Sequence, residues 1–304
     1  MNIGFRPLRG TRLRWGPDVS SPTLLHLHEL MAFDRHQAEA AILQRVTSAY
    51  LGDQTALVRV LGRYKLYIDT RDRGFGSHVL LDGFWEIWLT LFCARNVKRG
   101  MTVVDVGANF GYYSVLLAEL VGSEGRLVAV EPNPHAADLL SRSIELNGLS
   151  GRTRIEKVAL GSSPDGWAPL YVPNNEPKNA LLVSENFVPH GESGTVVKVP
   201  VTTLDHLGSG SKIDFIKIDA EGAEEAIFEG MRDIIDRHQP IIVVEFNAAR
   251  YADAGGFVDR LTAVYGTLRR LDFSGRAVPV RREDLLSIHA GDDSLLVLSR
   301  DEPA

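Results

Sequence analysis

The stretch VVDVGANFGYYS, residues 103–114, decides how the chain is read. An apolar run stops at Asp105, and a loop with glycines at positions 107 and 111 follows before a helical pattern resumes. A strand that turns through glycines into a helix is the opening unit of a parallel sheet that grips a nucleotide-like ligand. The rhythm continues outward. RLVAVE (126–131) forms a second strand, after which Asn133 caps a helix that starts at Pro134 and stops at Gly148. TRIEKVAL (153–160), DFIKID (214–219), PIIVVEF (240–246), TLRRLDF (267–273) and SLLVLS (294–299) supply further strands, with helices over 111–121, 223–230 and near 256–265. Near-continuous apolar strands separated by helices predict an α/β fold, a mostly parallel sheet with helices on both faces.

Two regions depart from that rhythm. Residues 162–210 are polar and rich in Pro, Gly and Asn (YVPNNEPKNA, VPHGESG) and end in the strand-like TVVKVPVTTL. They read as an insertion with a hairpin, placed where it roofs the carboxyl ends of the strands. Upstream, residues 22–50 show a broad apolar helical face, YKLYIDT (64–70) reads as a strand, and 79–95 as one helix buried on most sides. The expected organisation is a largely helical N-terminal extension over 1–78, serving as a lid or oligomer contact, and a main domain over 79–304.

The composition is that of a soluble globular chain, with 304 residues, 44% hydrophobic and 24% charged. A formal charge of −6 gives no electrostatic footprint for nucleic acid. No run of about 18 apolar residues is present, so no membrane span is expected. Arg6, Arg9, Arg12 and Arg14 make the start basic, but no apolar segment follows as in a signal peptide. The single cysteine, Cys93, lies in the apolar run WLTLFCA and fits a cytoplasmic setting.

The loop itself narrows the ligand. Glu131 lies 20 positions beyond Gly111, a distance that suits a carboxylate accepting hydrogen bonds from ribose hydroxyls. A pyrophosphate wants a second glycine two positions after the first. Here that position is Asn109, whose amide adds hydrogen-bonding groups. Asp-x-Gly-x-Asn-x-Gly therefore favours a cofactor with a charged amino-acid tail and no phosphates, S-adenosylmethionine, with Asp105 or Asn109 orienting the tail. The same pattern argues against a nicotinamide dehydrogenase.

VVDVGANFGYYS, AVEPNP (129–134), VTTLD (201–205) and FIKIDAEGAEEAIFEG (215–230) together resemble the FkbM-type methyltransferases over roughly residues 80–247. The resemblance implies the class I, Rossmann-like methyltransferase fold with a mostly parallel seven-stranded sheet. It also implies S-adenosylmethionine as cofactor and mostly O-methyl transfer. It maps the cofactor loop onto Asp105, Gly107, Asn109 and Gly111, and the ribose carboxylate onto Glu131. GFWE (83–86) resembles the family's segment ahead of the fold, which brings Glu86 to cofactor or substrate. Asn133, Ala159 and Asp219 complete the expected cofactor set.

Methyl transfer from a sulfonium needs an oxygen held in line, about 3–3.5 Å from the methyl carbon. A hydroxyl acceptor also loses a proton, and a placed base contributes about 10²–10⁴-fold. The candidates are carboxylates beyond the strand ends: Asp219, Glu221 and Glu245. Asp219 has helix capping, and Glu221 helix-dipole complementation, as the plainer role. Lys217, two residues before Asp219 in an apolar strand, needs a partner, Asp219 or Glu245, and acts as an orienting group or in a structural ion pair. Asp219, Glu245 and Asn247 form an oxygen-rich set able to hold Mg²⁺ with two substrate hydroxyls. His78 and His190 are candidates for a base or a hydroxyl contact, with a plain loop histidine as the simpler role, and Trp85 is a candidate sugar platform with a core position as its simpler role. The functional expectation is O-methylation of a sugar, glycan or similar small hydroxylated metabolite. The alternatives are N- or carboxyl methylation of a small metabolite or peptide, and a non-catalytic S-adenosylmethionine-binding protein.

Overall fold

The run that ends at Asp105 becomes the middle of a sheet. The computed structural model describes residues 23–187, 193–208, 210, 212–287, 289 and 291–304. The four basic residues at the start and His190 lie outside them. Helices α1 (Leu27–Ala32) and α2 (Arg35–Leu43) lead into strands β1 (Ser48–Gly52), β2 (Thr55–Val60) and β3 (Tyr64–Asp69), then α3 (Phe75–Asp82) and α4 (Ile87–Asn96). The alternating unit follows as β4 (Thr102–Val106), α5 (Tyr112–Val121), β5 (Arg126–Val130), α6 (Pro134–Leu146) and β6 (Thr153–Glu156). Next come β7 (Ala159–Leu160), β8 (Gly166–Pro173), β9 (Leu181–Leu182), β10 (Gly194–Thr202) and α7 (Leu204–Leu207). The chain closes with β11 (Phe215–Ile218), α8 (Glu224–Glu229), α9 (Arg232–His238), β12 (Ile241–Phe246) and α10 (Ala254–Tyr265). After these come β13 (Arg269–Leu271), β14 (Ala277–Pro279), α11 (Arg282–Leu286) and β15 (Ser294–Leu298).

The main sheet runs β14-β13-β15-β12-β11-β4-β5-β6. Strands β6, β5, β4, β11 and β12 are parallel, and β15 runs antiparallel to both of its neighbours. The order reverses between β4 and β11, so the loops after these two strands diverge and leave a crevice at their carboxyl ends. Alternate residues separate into two cores. Val103, Ala129, Phe215 and Val243 face α4, α5 and α6, whereas Val104, Val106, Ile216, Ile218 and Val244 face α8, α9 and α10. Asp105 and Lys217 share the parity of Val103 and Phe215, and they are register partners on adjacent strands.

Four expectations change. Seven strands become eight, because the turn around Asp272 folds back as the short edge strand β14; the Asp272 carboxylate accepts from the Ser274 and Arg276 amides. The extension is not largely helical. Its second half is an antiparallel meander of β1, β2 and β3, in which Ala56, Val58 and Val60 alternate inward. The single helix over 79–95 is broken. Gly83 ends α3 in the left-handed region (φ 77°) and Glu86 enters α4 from φ 37°, so GFWE is a bend. TRIEKVAL is two strands. β6 stays in the main sheet, and β7 pairs with β10 in the four-stranded sheet β7-β10-β8-β9 that the insertion builds. Helix α3 spans the expected boundary at 78/79. No described helix is long and apolar enough to cross a membrane.

The extension shares one core with α4, α5 and α6 rather than forming its own. Its β3 edge is closed by side chains of α6: the Tyr67 amide donates to Ser143 Oγ (3.0 Å), and the Lys65 amide to Asn147 Oδ1 (3.0 Å). Asn147 Nδ2 returns a bond to the Lys65 carbonyl (2.7 Å). Asn147 thus satisfies an edge residue on both sides. Asn147→Ala is expected to destabilise the protein by about 1–2 kcal/mol. The urea midpoint should fall with an unchanged slope, and an unmoved midpoint would show the docking to be decorative.

Candidate cofactor and acceptor site

The loop after β4 is fastened on both sides. The Gly107 and Ala108 amides donate to the Val130 carbonyl (3.0 and 3.1 Å), and the Asp219 amide donates to the Val106 carbonyl (3.2 Å). At Gly107 φ is 70°, and a Cβ would lie 1.7 Å from the Asp219 carbonyl oxygen. No other residue fits, because two backbones cross there. Gly111 has a different task. A Cβ on it would strike Leu140 Cδ1 at 2.5 Å, so its bareness seats α5 against α6, and it does not line the cleft. Asp105 is likewise behind the wall: it is fully buried and accepts from Ser114 Oγ (2.6 Å). Of the two residues expected at the cofactor tail, Asn109 is the one that lines the cleft, at φ 50°, and its buried Oδ1 has no hydrogen-bond partner among the described residues.

Glu131 follows β5. Its Oε2 accepts from the Asn109 amide (2.7 Å) and its Oε1 from the Asn133 amide (2.8 Å). Each oxygen keeps a lone pair for a ligand hydroxyl. Burial pushes this carboxyl up to about 7, the two amides pulling the other way. Asn133 does not reach the cleft lining. Its Oδ1 caps α6 by accepting from the His135 amide (3.1 Å), and its Nδ2 donates to the Pro177 carbonyl (3.4 Å).

Around these loops lies a cleft open to solvent. On the β5–β6 side its walls are apolar, with Val130, Pro132, Val158, Ala159 and Leu160 joined by Leu170 and Leu182 of the insertion. On the β11–β12 side they are acidic: Glu86, Asp219, Glu221 and Glu245, with Lys217 and Tyr113. Lys217 Nζ stands 3.3 Å from Asp219 Oδ2, 3.6 Å from Asp105 Oδ1 and 5.2 Å from the Tyr113 ring. Burial opposes its charge, but Asp219, Asp105 and Glu86 together hold the ammonium well above its ordinary range. The partner expected at Glu245 is therefore Asp105, because β11 pairs with β4 in register.

Glu86 accepts from Tyr113 Oη (3.2 Å) and is pushed up to about 7 by burial and then by Asp219. Glu245 is pushed up to about 8 by the same two causes, against the pull of Arg250, which bonds it at 2.5 Å. Arg250 also reaches Glu221 (3.4 Å) and Asp293 (3.0 Å). Burial first, then Asp219, raises Glu221. Glu224 closes the loop: its carboxylate accepts from the Ala220 and Gly222 amides and from Tyr251 Oη.

Two acceptor candidates are displaced. Asn247 turns away to donate to Asp293 Oδ1 (2.8 Å) and to cap the turn Ala248–Arg250, so it leaves the proposed oxygen-rich set. Among the described residues, no group of three His, Cys, Asp or Glu side chains is placed to hold a metal. His78 is exposed, bonded to Asp82 (3.2 Å) and outside the lining. His190 is not among the described residues. Trp85 does line the cleft, edge-on to Phe75. Sequence reasoning missed Tyr113, Lys178 and Arg250. Tyr113 stood inside the opening motif, where its neighbour to Lys217 becomes visible only through register.

A family model described as the methyltransferase FkbM domain matches residues 105–274. A protein-L-isoaspartate O-methyltransferase of Methanopyrus kandleri is 30% identical over 116 residues, 38% of this chain and 44% of its own length. Methyltransferase sdnD of Sordaria araneosa is 28% identical over 163 residues, 45% of this chain and 62% of its own. The chain spans about half the length of the curated relatives it matches. Among solved structures, methyltransferase FkbM of Methylobacillus flagellatus aligns with a TM-score of 0.40 at 17% identity, covering 65% of this chain and 43% of that one.

The Glu131 carboxyl gives a pH signature. Its folded value near 7 lies above the ordinary 4.5, so the folded state holds the extra proton between them. Its contribution to stability is present at acid pH and is lost as pH rises through about 7. A ribose, in contrast, donates to the carboxylate. Binding of S-adenosylmethionine should strengthen between about pH 5.5 and about pH 8. Glu131→Gln should weaken it by roughly tenfold or more and flatten that dependence. Isothermal titration reads both, and a wild-type affinity flat across the range refutes the assignment.

Proposed function

The chain belongs to the FkbM methyltransferase family, and from that premise we propose that it moves the methyl group of S-adenosylmethionine onto a hydroxyl of a sugar, a glycan or a similar small hydroxylated metabolite. The observation that carries the reading is Glu245, a carboxyl at the acidic end of the cleft, pushed up to about 8 beside Asp219. A base is most effective when its pKa lies near the working pH.

The cleft suits the cofactor. Glu131 keeps lone pairs for two ribose hydroxyls, the apolar walls take the adenine, and Asn109 Oδ1 lacks a partner that the amino tail supplies. The bound cofactor supplies an electrophilic methyl group on a sulfonium. Everything else is work for the chain. Lys217 holds Asp219 in one orientation at 3.3 Å, so that the Asp219 carboxylate, which is partly exposed, aligns the acceptor. Glu245 takes the proton of the acceptor hydroxyl as the oxygen attacks, and Arg250 stabilises the carboxylate before the transfer. Trp85 offers a face at the mouth for a sugar ring.

The acceptor end carries Asp219 with three further carboxyl groups, Glu86, Glu221 and Glu245, a surrounding that favours a neutral hydroxyl over a carboxylate acceptor and places carboxyl methylation second. Incubation with S-adenosylmethionine labelled in its methyl group, across sugars, nucleotide-sugars and lipid-linked oligosaccharides, tests the proposal. Label is expected in a base-stable ether; label confined to base-labile esters or amines contradicts it. Glu245→Gln should lower kcat by about 10²–10⁴-fold with cofactor affinity little changed. The wild-type rate should rise with pH through about 8 as Glu245 ionises. A Glu245→Gln enzyme of undiminished kcat removes this residue as the base.

A further inference from the structure

The extension and the insertion meet over the cleft. The turn Glu176–Asn179 supplies Pro177 and Lys178 to the cleft wall. Within the insertion the turn packs against β8, and the following β9 pairs with β8 through Leu181 and Leu182. Among the described residues three hydrogen bonds tie it to chain outside the insertion, and Lys178 Nζ also lies 5.9 Å from the Trp85 ring. Glu176 Oε2 accepts from the Gly74 amide (3.2 Å). The Lys178 amide donates to Asp72 Oδ2 (3.2 Å), and Asn133 Nδ2 to the Pro177 carbonyl (3.4 Å). Asp72 is only 2% exposed, and its other oxygen accepts from the Gly76 amide in the first turn of α3 (3.0 Å).

The fit at this junction is close. A Cβ on Gly74 would lie 3.0 Å from Lys178 Cε and 3.2 Å from Glu176 Oε2. Two of the three ties are carboxylate–amide bonds, stronger than neutral ones, and each can break without unfolding a helix or a strand. The third leads to the ligand carboxylate, because the Asn133 amide holds Glu131 Oε1 while the Asn133 side chain holds Pro177. The wall turn and the ribose clamp therefore share one residue.

We propose that Asp72 and Glu176 are positioning residues that latch the turn Glu176–Asn179 over the bound cofactor, so that opening of this latch sets how fast S-adenosylhomocysteine leaves. The proposal rests on the cofactor reading above. Loop opening governs turnover in many enzymes whose product is enclosed.

Two measurements on the full chain separate the possibilities. In hydrogen–deuterium exchange of the ligand-free protein, Glu176→Ala should speed exchange at residue 74, and Asp72→Asn, whose single amide oxygen cannot serve both the Gly76 and the Lys178 amides, at residue 178, with β4 and β11 left protected. Displacement of labelled S-adenosylhomocysteine by excess unlabelled compound should then accelerate on the order of tenfold for each tie removed. Glu176→Gln, whose amide oxygen still accepts, should retain most of the wild-type rate. Faster exchange with an unchanged departure rate in both variants overturns the gating role, and unchanged exchange overturns the latch itself. If the wild-type protein fails to bind S-adenosylhomocysteine while exchange changes as expected, the cofactor reading falls and the gate with it. Glu176 is partly exposed, so its variants keep the test valid if Asp72→Asn does not fold.

Discussion

A lysine buried in the middle of the sheet constrains the rest of this molecule. Taking an ammonium out of water costs several kcal/mol, and only close carboxylates offset it. Lys217 has them on both sides, Asp105 in register on β4 and Asp219 at the end of its own strand, with the Tyr113 ring nearby. Removing both aspartates would leave an uncompensated charge, a loss of about 3–5 kcal/mol in comparable sites. The pairing also locks geometry. With Asp219 tied to Lys217, its carbonyl crosses Gly107 at a distance that leaves no room for a Cβ, so the loops after β4 and β11 are packed backbone against backbone at the floor of the cleft.

The walls are a different matter, because they come from chain that the parallel sheet does not require. GFWE bends between α3 and α4 and delivers Trp85 and Glu86 to the cleft, while the insertion contributes Leu170, Lys178 and Leu182. Backbone crossings hold the loops after β4 and β5, and side chains on bends and turns shape the rest of the cleft. Crowding of like charges then tunes the acidic end: burial and Asp219 together raise Glu86 and Glu245 toward neutrality.

How much was legible depended on the range of the interaction. The strand–glycine loop–helix unit and the spacing from Gly111 to Glu131 are local, and both appear in the structure where the pattern puts them. The helix over 79–95 was misread because apolar density does not reveal a break; Gly83 was the signal, and its left-handed cap outweighed the pattern. The meander of β1, β2 and β3 was half missed, although Ala56, Val58 and Val60 alternate with period two. Asp105 and Gly111 sit in the motif yet serve the scaffold, since neither reaches the ligand side of the loop. Asn247 followed a strand end correctly and was then turned aside by Asp293, a residue 46 positions later.

The chain by itself determined the run β4, α5, β5 and α6, the glycine loop after β4 and the carboxylate that follows β5, because apolar periodicity and turn chemistry act over a few residues. It also determined that a lysine in an apolar strand must be paired. Which carboxylate pairs with it, which motif residues face the ligand, and which walls close the cleft were decided only by tertiary structure. Strand register brings Asp105 rather than Glu245 to Lys217. Backbone crossing makes Gly107 obligatory, and the docking of extension on insertion brings Asp72 to Lys178 across 106 positions of sequence. Such contacts depend on where whole elements pack, and no short window of residues encodes that.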